Sequence, residues 1–365
     1  MILHLLLDEK FSDYVVNQFA TKEMQSDFAL VSDSLIMNHF HHIDVVPFYN
    51  YHSEDDLRKL LKIISNYNAI VFHGLFAPWQ EWLLNNWPNN VKIAWSCWGG
   101  ELYDQPALAQ AYLKPLSKCA EWYYCKTHMR RRMESAFPKQ LLAKSDYCLS
   151  CVTEEYDIAK AYLQTDLKHL WYSYYSIDET LGTLINNSCS GNNIFVGNSA
   201  TIENNHLETM LKLKRVGIGD RKVIMPLSYG EPWVRNMCMK VGSILFGDRL
   251  APLIEFIPRD EYNKMMLNSC VMIQPHLREQ AHGNIVTGLW LGMRVYLSEK
   301  GIDYKHFKSI GCNVYSIEHD LCRSNPNVFA PMSEEDVAYN RQILTKVYGR
   351  EHIDEMNKKI VKDLA

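Results

Sequence analysis

Apolar runs of strand length alternate with helical patterns in two series along the chain, and a polar stretch separates the series. The first series places strands at 1–7, 28–32, 43–47, 69–72, 91–95 and 147–152. The second places them at 193–197, 221–226, 243–246, 270–274, 294–297 and 313–316. Between strands lie stretches such as SEDDLRKLLKIISNY, where Ser53 is placed to cap a helix and Leu57, Leu60, Leu61 and Ile64 share one face. Strand–helix alternation specifies a mostly parallel sheet with helices on both faces. The break near 176–192, SIDETLGTLINNSCSGN, is polar and turn-rich, as a connection between domains is. At 365 residues the chain exceeds what one core accommodates. The fold class expected is therefore α/β, with two doubly wound domains and a cleft between them. The last stretch, from SEEDVAYN onward, is helical, with Ser333 as cap and glutamates in its first turn.

Bulk properties exclude several classes. Net charge is −4, so no overall field favours nucleic acid. No run reaches the about 18 apolar residues of a membrane span. The start, MILHLLLDEKF, lacks a basic leader and a small-residue cleavage site, and reads as a first strand. Cys148 and Cys151 form a CxxC inside an expected strand, where positions three apart face opposite ways, with no second pair nearby for zinc. Reduced thiols follow, and with them a cytoplasmic setting.

Doubly wound sheets bind ligands at the carboxyl ends of their strands. In NIFVGNSATIENNH a strand ends at Gly197, Asn198 and Ser199, and a helix begins near Asn204–Asn205–His206. Free N–H groups and the dipole at a helix start attract phosphate, although Asn and Ser also cap helices with no ligand present. In KVIMPLSYGEPW, Pro226 breaks a strand and Ser228, Tyr229 and Gly230 turn. In CVMIQPHLREQAHGNIVTGLWLGM a strand ends at Gln274; Arg278, Gln280, His282, Gly283 and Asn284 precede an apolar helix, a second arrangement suited to a diphosphate.

The first half offers different loops. His73 and Gly74 follow the strand in IVFHGLFAPW. In VKIAWSCWGGELYD, Trp98 and Tyr103 are suited to stacking on a sugar, Gly99 and Gly100 to close approach, and Glu101 and Asp104 to general-base work on a hydroxyl. Packing of the tryptophan and solvation of both acids is the competing reading. The segment 107–140 mixes Lys114, Lys118, Lys126, Arg130, Arg131 and Arg132 with Tyr and Trp, which fits either an anionic membrane surface or a solvated helix face.

FHGLFAPW, WSCWGGELYD, FVGNSATIENNH, VIMPLSYG and REQAHGNIVTGLWLGMRVYL occur in the order and spacing of one family. The chain resembles the bacterial TDP-N-acetylfucosamine:lipid II N-acetylfucosaminyltransferases (4-alpha-L-fucosyltransferase type). The resemblance runs from the FHG loop to the strand at 294–297, and is weak in the first and last sixty residues. It implies a GT-B architecture with an acceptor-binding Rossmann-like domain at 1–175, a nucleotide-sugar-binding one at 190–335, and C-terminal helices at 336–365 packing back on the first. It implies transfer of a 4-acetamido-4,6-dideoxyhexose from a dTDP-sugar, or a UDP-sugar, to a polyprenyl-diphosphate-linked saccharide in surface polysaccharide assembly. The setting it implies is peripheral, on the cytoplasmic face of the inner membrane.

By the same resemblance, Gly197, Asn198, Ser199, Gln280 and Gly283 face the donor, with Tyr229 on the nucleotide and Arg278, His282 and Asn284 beside them. His73, Trp98, Gly99, Glu101 and Tyr103 fall on the acceptor side. His282, Asn284, Gly100 and Glu101 depart from the family pattern and bear on which sugar is carried. The expected mechanism uses no metal: backbone amides and Arg278 neutralise the leaving diphosphate. Glu101 or Asp104 takes the acceptor proton if the reaction inverts. A nucleotide-sugar 2-epimerase of the same architecture, or a non-catalytic nucleotide- or glycan-binding module, is the alternative.

Overall fold

In a computed structural model the described residues form thirteen strands in two sheets. The structure describes residues 1–365 except Val45 and 130–136, and gives no side chains for Arg259 and Asp260. The first sheet contains β1 (Ile2–Leu6), β2 (Ser26–Ser32), β3 (Phe48–Asn50), β4 (Ala69–His73), β5 (Lys92–Ser96), β6 (Tyr147–Leu149) and β7 (Lys168–Leu170). The second contains β8 (Asn193–Val196), β9 (Val223–Pro226), β10 (Leu250–Leu253), β11 (Ser269–Gln274), β12 (Arg294–Leu297) and β13 (Tyr315–Ser316). Their orders are β3-β2-β1-β4-β5-β6-β7 and β10-β9-β8-β11-β12-β13, with parallel pairing throughout. These are two Rossmann-like sheets, and the GT-B fold class expected from the sequence is the one found. In each sheet the winding reverses beside its first strand, between β1 and β4 and between β8 and β11, which makes those points ligand positions.

The strands read as continuous apolar runs because both faces are covered. Ile2, Leu6, Leu30, Ala69, Val71 and Ala94 share one core cluster of the first sheet. Ile194, Val196, Val223, Met225, Val271 and Ile273 anchor that of the second. The helix Glu54–Ile64 starts as expected: Ser53 accepts the Asp56 N–H, and Leu57, Leu60 and Ile64 are buried.

The expected strand positions differ from the structure at three places. The strand expected at 43–47 forms instead at β3, after Pro47, which cannot donate to a ladder but whose carbonyl accepts from Leu30 N. Residues 243–246 are not a strand. They end the helix Pro232–Phe246, which buries Val234, Cys238, Gly242 and Phe246, a spacing of four that belongs to a helix. β10 follows it and carries Pro252 without penalty because it is an edge strand. β7 was not expected at all; its three residues run exposed, half-buried, buried, too few to show a period.

The chain divides into two compact units. One comprises Met1–Leu108, Glu134–Ser176 and Tyr348–Ala365; the other comprises Ala109–Met133 and Ile177–Val347. A single cut at 175 therefore misplaces the helix Pro115–Thr127, which packs within the second unit. The Glu208 carboxylate accepts the N–H groups of Leu116 and Ser117 at 2.8 and 3.0 Å, Lys114 pairs with Glu318 at 3.2 Å, and Tyr124 stacks on Trp233 at 4.3 Å. The boundary at the other end lies at Tyr348. The helix Arg350–Leu364 packs on the first unit, with Ile360, Val361 and Leu364 in the first core. Among the described residues no helix is long and apolar enough to cross a membrane.

Candidate functional site

β8 and β11 are neighbours at the switch point of the second sheet, and their carboxyl ends deliver two of the three expected loops to one place. After β8 the chain turns at Gly197, φ +67°, where a Cβ would lie 2.5 Å from His206 Cε1 and 2.9 Å from Asn204 Oδ1. Only glycine fits this turn. After β11, Gln280 reaches back and donates from Nε2 to Asn198 Oδ1 at 3.0 Å and Ser199 Oγ at 3.3 Å. Asn204 Nδ2 donates to Ser199 Oγ at 2.9 Å and Thr201 Oγ1 at 3.0 Å. The Asn198 amide donates to the Tyr229 hydroxyl at 3.0 Å, and Ala200 and Gly230 bridge the loops after β8 and β9. Asn198, Ser199, Tyr229 and Gln280 are thus one hydrogen-bonded group that follows the turn at Gly197, and the buried Gln280 Oε1 has no partner among the described residues.

The other residues expected on the donor side lie on the loop after β11 and at the start of the helix that follows it. Arg278 acts electrostatically on Tyr229, lowering a phenol pKa that burial raises overall. His282, Gly283 and Asn284 form the first turn of the helix His282–Leu291, entered through Ala281 at φ +58°. The first N–H groups of such a helix have no intrahelical acceptor. From Ile285 to Leu291 every residue of that helix is buried, so its start is held rigidly. The Asn284 amide donates to the Tyr262 hydroxyl at 2.8 Å. Burial drives the His282 pKa down to about 3, keeping the ring neutral. Tyr262 and Gln274 were not anticipated; each joins through folding alone, Gln274 donating to Gly197 O at 3.2 Å.

One group has ligand spacing for a divalent cation: Glu279, His282 and Asp303, with candidate atoms within 4.8 Å of one another. Asp303 already pairs with the fully buried His276 side chain at 3.1 Å.

In the first unit the Tyr174 hydroxyl is the centre. It lies 2.8 Å from His73 Nδ1 and from Ser96 Oγ, and accepts from Trp98 Nε1 at 2.6 Å. His73 is 1% exposed, and its Nε2 pairs with His4 Nδ1 at 3.1 Å. Burial takes its pKa to about 3. Both ring nitrogens of His73 are therefore committed inside the fold, a framework position. Glu101, only 2% exposed, is likewise interior: Oε1 accepts from Trp95 Nε1 and from Trp98 N, each at 2.9 Å. Burial outweighs those bonds and raises its pKa. Tyr103 is buried, so it offers no face to a sugar. Gly99, φ +96°, precedes the short helix Gly100–Tyr103 that Asp104 ends. Trp98 and Asp104 stay half-buried, with Trp98 between Phe11 and Phe76 at 5.5 and 5.6 Å. His73, Glu101 and Tyr103, expected on the acceptor side, are all buried: His73 ends β4 with both ring nitrogens bonded, and the turn after β5 folds Glu101 inward onto Trp95.

No protein-family profile matches the chain, and no curated protein matches it. Solved structures do. The chain is similar to a glycosyltransferase from Rickettsia africae, at 10% identity and TM-score 0.62, over 100% of this chain and 98% of that one. It is similar to the trehalose-6-phosphate structure from E. coli bound with UDP-2-fluoro glucose, at 10% identity and TM-score 0.65, covering 100% and 98%. It is also similar to Anabaena HepE in complex with UDP and glucose, at 9% identity and TM-score 0.60, covering 100% and 98%. These likenesses establish the fold.

Proposed function

We propose that the protein is a glycosyltransferase that moves a hexose from a nucleotide-sugar held by the second unit to an acceptor held by the first. The carrying observation is the joining of the loops after β8 and β11 through Gln280, Asn198 and Ser199 at the switch point of the second sheet. The donor diphosphate lies against the first N–H groups of the helix at His282 and Gly283, while the fully buried Ser199 holds Gln280 in place. The start of the helix His282–Leu291 contributes about 0.3–1 kcal/mol toward an anion, more where it is buried. Arg278 adds the cation as charge grows on the departing nucleotide. Tyr229 borders the nucleotide, and Gln280 and Asn284 meet the sugar. The folds of the UDP-bound structures support the donor class.

The donor is a dTDP-linked 4-acetamido-4,6-dideoxyhexose and the acceptor a polyprenyl-diphosphate-linked saccharide, a reading supported by the motif resemblance. Of the two loop acids Asp104 is the more exposed, and we assign it to proton acceptance; Glu101 and His73 position the loop. We take the reaction to proceed without metal, which turnover in EDTA tests. Peripheral attachment to an anionic membrane surface is supported by the helix Pro115–Thr127, which exposes Trp122 and Tyr123 beside Lys118 and Lys126. Arg130, Arg131 and Arg132 lie outside the described residues.

The test incubates purified protein with dTDP- or UDP-sugar in EDTA, with and without a polyprenyl-diphosphate saccharide, and follows products by mass spectrometry. Acceptor-dependent release of nucleoside diphosphate is the expected result. Isomerised donor in the absence of acceptor establishes the epimerase instead. Tight nucleotide binding with no turnover on any acceptor establishes a binding module.

A further inference from the structure

At the switch point of the first sheet, the loops that follow β1, β2, β3 and β4 surround a cavity of about 600 Å³. Its lining includes Asp8 and Glu9 after β1, Asp33 after β2, Tyr51 after β3, and Phe76 and Trp82 beyond β4. A crevice outside the carboxyl ends of strands, where the winding reverses, is the position at which an open α/β sheet takes its ligand. The loop expected to hold the acceptor, 98–104, is one strand further along and turns most of its chemistry inward.

The chemistry of the walls limits what fits. Three carboxylates line the cavity, and neither Lys nor Arg does. Asp8 accepts the N–H groups of Asn38, His39 and Phe40 at 2.8, 2.9 and 3.0 Å. Burial pushes its pKa up, but these bonds outweigh burial and hold the carboxyl below its usual value, so it stays ionised at neutral pH. Burial first, and a hydrogen bond to Asp33 second, raise the Tyr51 phenol; it remains a donor and orients that carboxylate. A phosphate placed here meets like charge from the carboxylates that line the cavity.

The apolar side is built to present a ring. Phe76 is 44% exposed. Its loop is fixed by Gln80, whose Oε1 accepts the N–H groups of Phe76 and Ala77, both at 2.8 Å, and whose Nε2 donates to Gly74 O at 2.9 Å. Gly74, φ +83°, permits the approach: a Cβ there would lie 2.4 Å from the Phe76 ring and 3.2 Å from Trp98. A rigid exposed aromatic beside hydrogen-bond-accepting carboxylates fits a pyranose, whose C–H face stacks while its hydroxyls donate.

We propose that this cavity is the acceptor subsite and that it takes an uncharged or amine-bearing pyranose in preference to a sugar phosphate. The proposal rests on the glycosyl-transfer reading, because it names the acceptor of that reaction. In a lipid-linked acceptor the terminal sugar enters and the diphosphate stays outside. Asp33 and Glu9 accept from ring hydroxyls or an ammonium, and Phe76 covers the ring face.

Saturation-transfer NMR on the full chain without nucleotide reads saccharide binding, with methyl β-glucoside, methyl β-glucosaminide and glucose 6-phosphate as probes, and variants in the cavity wall assign that binding to the cavity. The two glycosides are expected to bind, and the phosphate to bind at least tenfold more weakly. Phe76→Ala and Asp33→Asn, both at exposed positions, are each expected to weaken the glycosides at least fivefold while the melting temperature stays at the parent value. Glucose 6-phosphate binding as tightly as the glycosides overturns the proposal, as does binding by none of the three probes or unchanged affinity in both variants. Titrating dTDP and UDP into the same samples separates the two levels: absent nucleotide binding defeats the transferase reading and leaves the saccharide result standing.

Discussion

Replacing Glu101 by Gln and by Leu separates chemistry from framework at a single carboxylate. Gln keeps an acceptor oxygen for Trp95 Nε1 and Trp98 N, the two donors that Glu101 holds. Glu101→Gln is therefore expected to retain kcat within about threefold. Glu101→Leu leaves both donors unpaired and is expected to cost about 1–3 kcal/mol of stability, read by urea unfolding. A hundredfold fall in kcat for the Gln variant returns Glu101 to the role of base. Residue types at this loop were legible in the sequence, but their directions were not. WSCWGGELYD supplies the same letters whether Glu101 faces a sugar or Trp95, and the choice follows from Gly99 at φ +96°, which turns the chain inward.

The helix Pro115–Thr127 carries its prediction at the level of an element. One side is fixed by Glu208 and by Trp233. The other exposes Trp122, 59% accessible, with Lys126 4.9 Å over its ring. Flotation with vesicles containing anionic lipid is expected to carry the protein, and Trp122→Ala with Lys126→Gln to reduce the floating fraction severalfold. Equal flotation of parent and variant removes this helix from any membrane role. The element was legible in sequence from its composition, whereas its unit was not: it lies among first-half residues in the chain, and long-range bonds to Asn205 and Glu208 assign it to the second. The expected strand at 243–246 shows the same limit, because Ser243 followed by three apolar letters reads equally as a strand or as the end of a helix, and only the burial of Val234, Cys238, Gly242 and Phe246 separates the two.

Over the whole molecule, neutral histidines buried in both cores make stability depend on pH. His73 and His206 are driven by burial to about 3 and about 4, below the ordinary value near 6.5. Between those values the unfolded chain binds more protons than the folded one, so stability is complete above about pH 6.5 and is lost as pH falls toward 4. At pH 5 each such ring costs about 2 kcal/mol relative to pH 7. Urea midpoints at the two pH values are expected to differ accordingly, and His206→Gln to flatten the dependence. A midpoint unchanged between pH 7 and pH 5 contradicts the buried neutral state of these rings.

Two alternating series in the sequence determine the architecture, because strand and helix periods are local properties and a parallel sheet needs crossovers that the spacing records. The same local logic located the loops after β8, β9 and β11, since strand ends and helix starts carry their own residue signals. What tertiary structure alone decided was which side chains of those loops share a space: Gln280 with Ser199, Tyr262 with Asn284, and the ring of acids and aromatics around the first sheet's cavity. These partners are far apart in the chain. Nothing in a local pattern encodes a meeting that depends on strand order, sheet twist and the direction in which each turn leaves its strand.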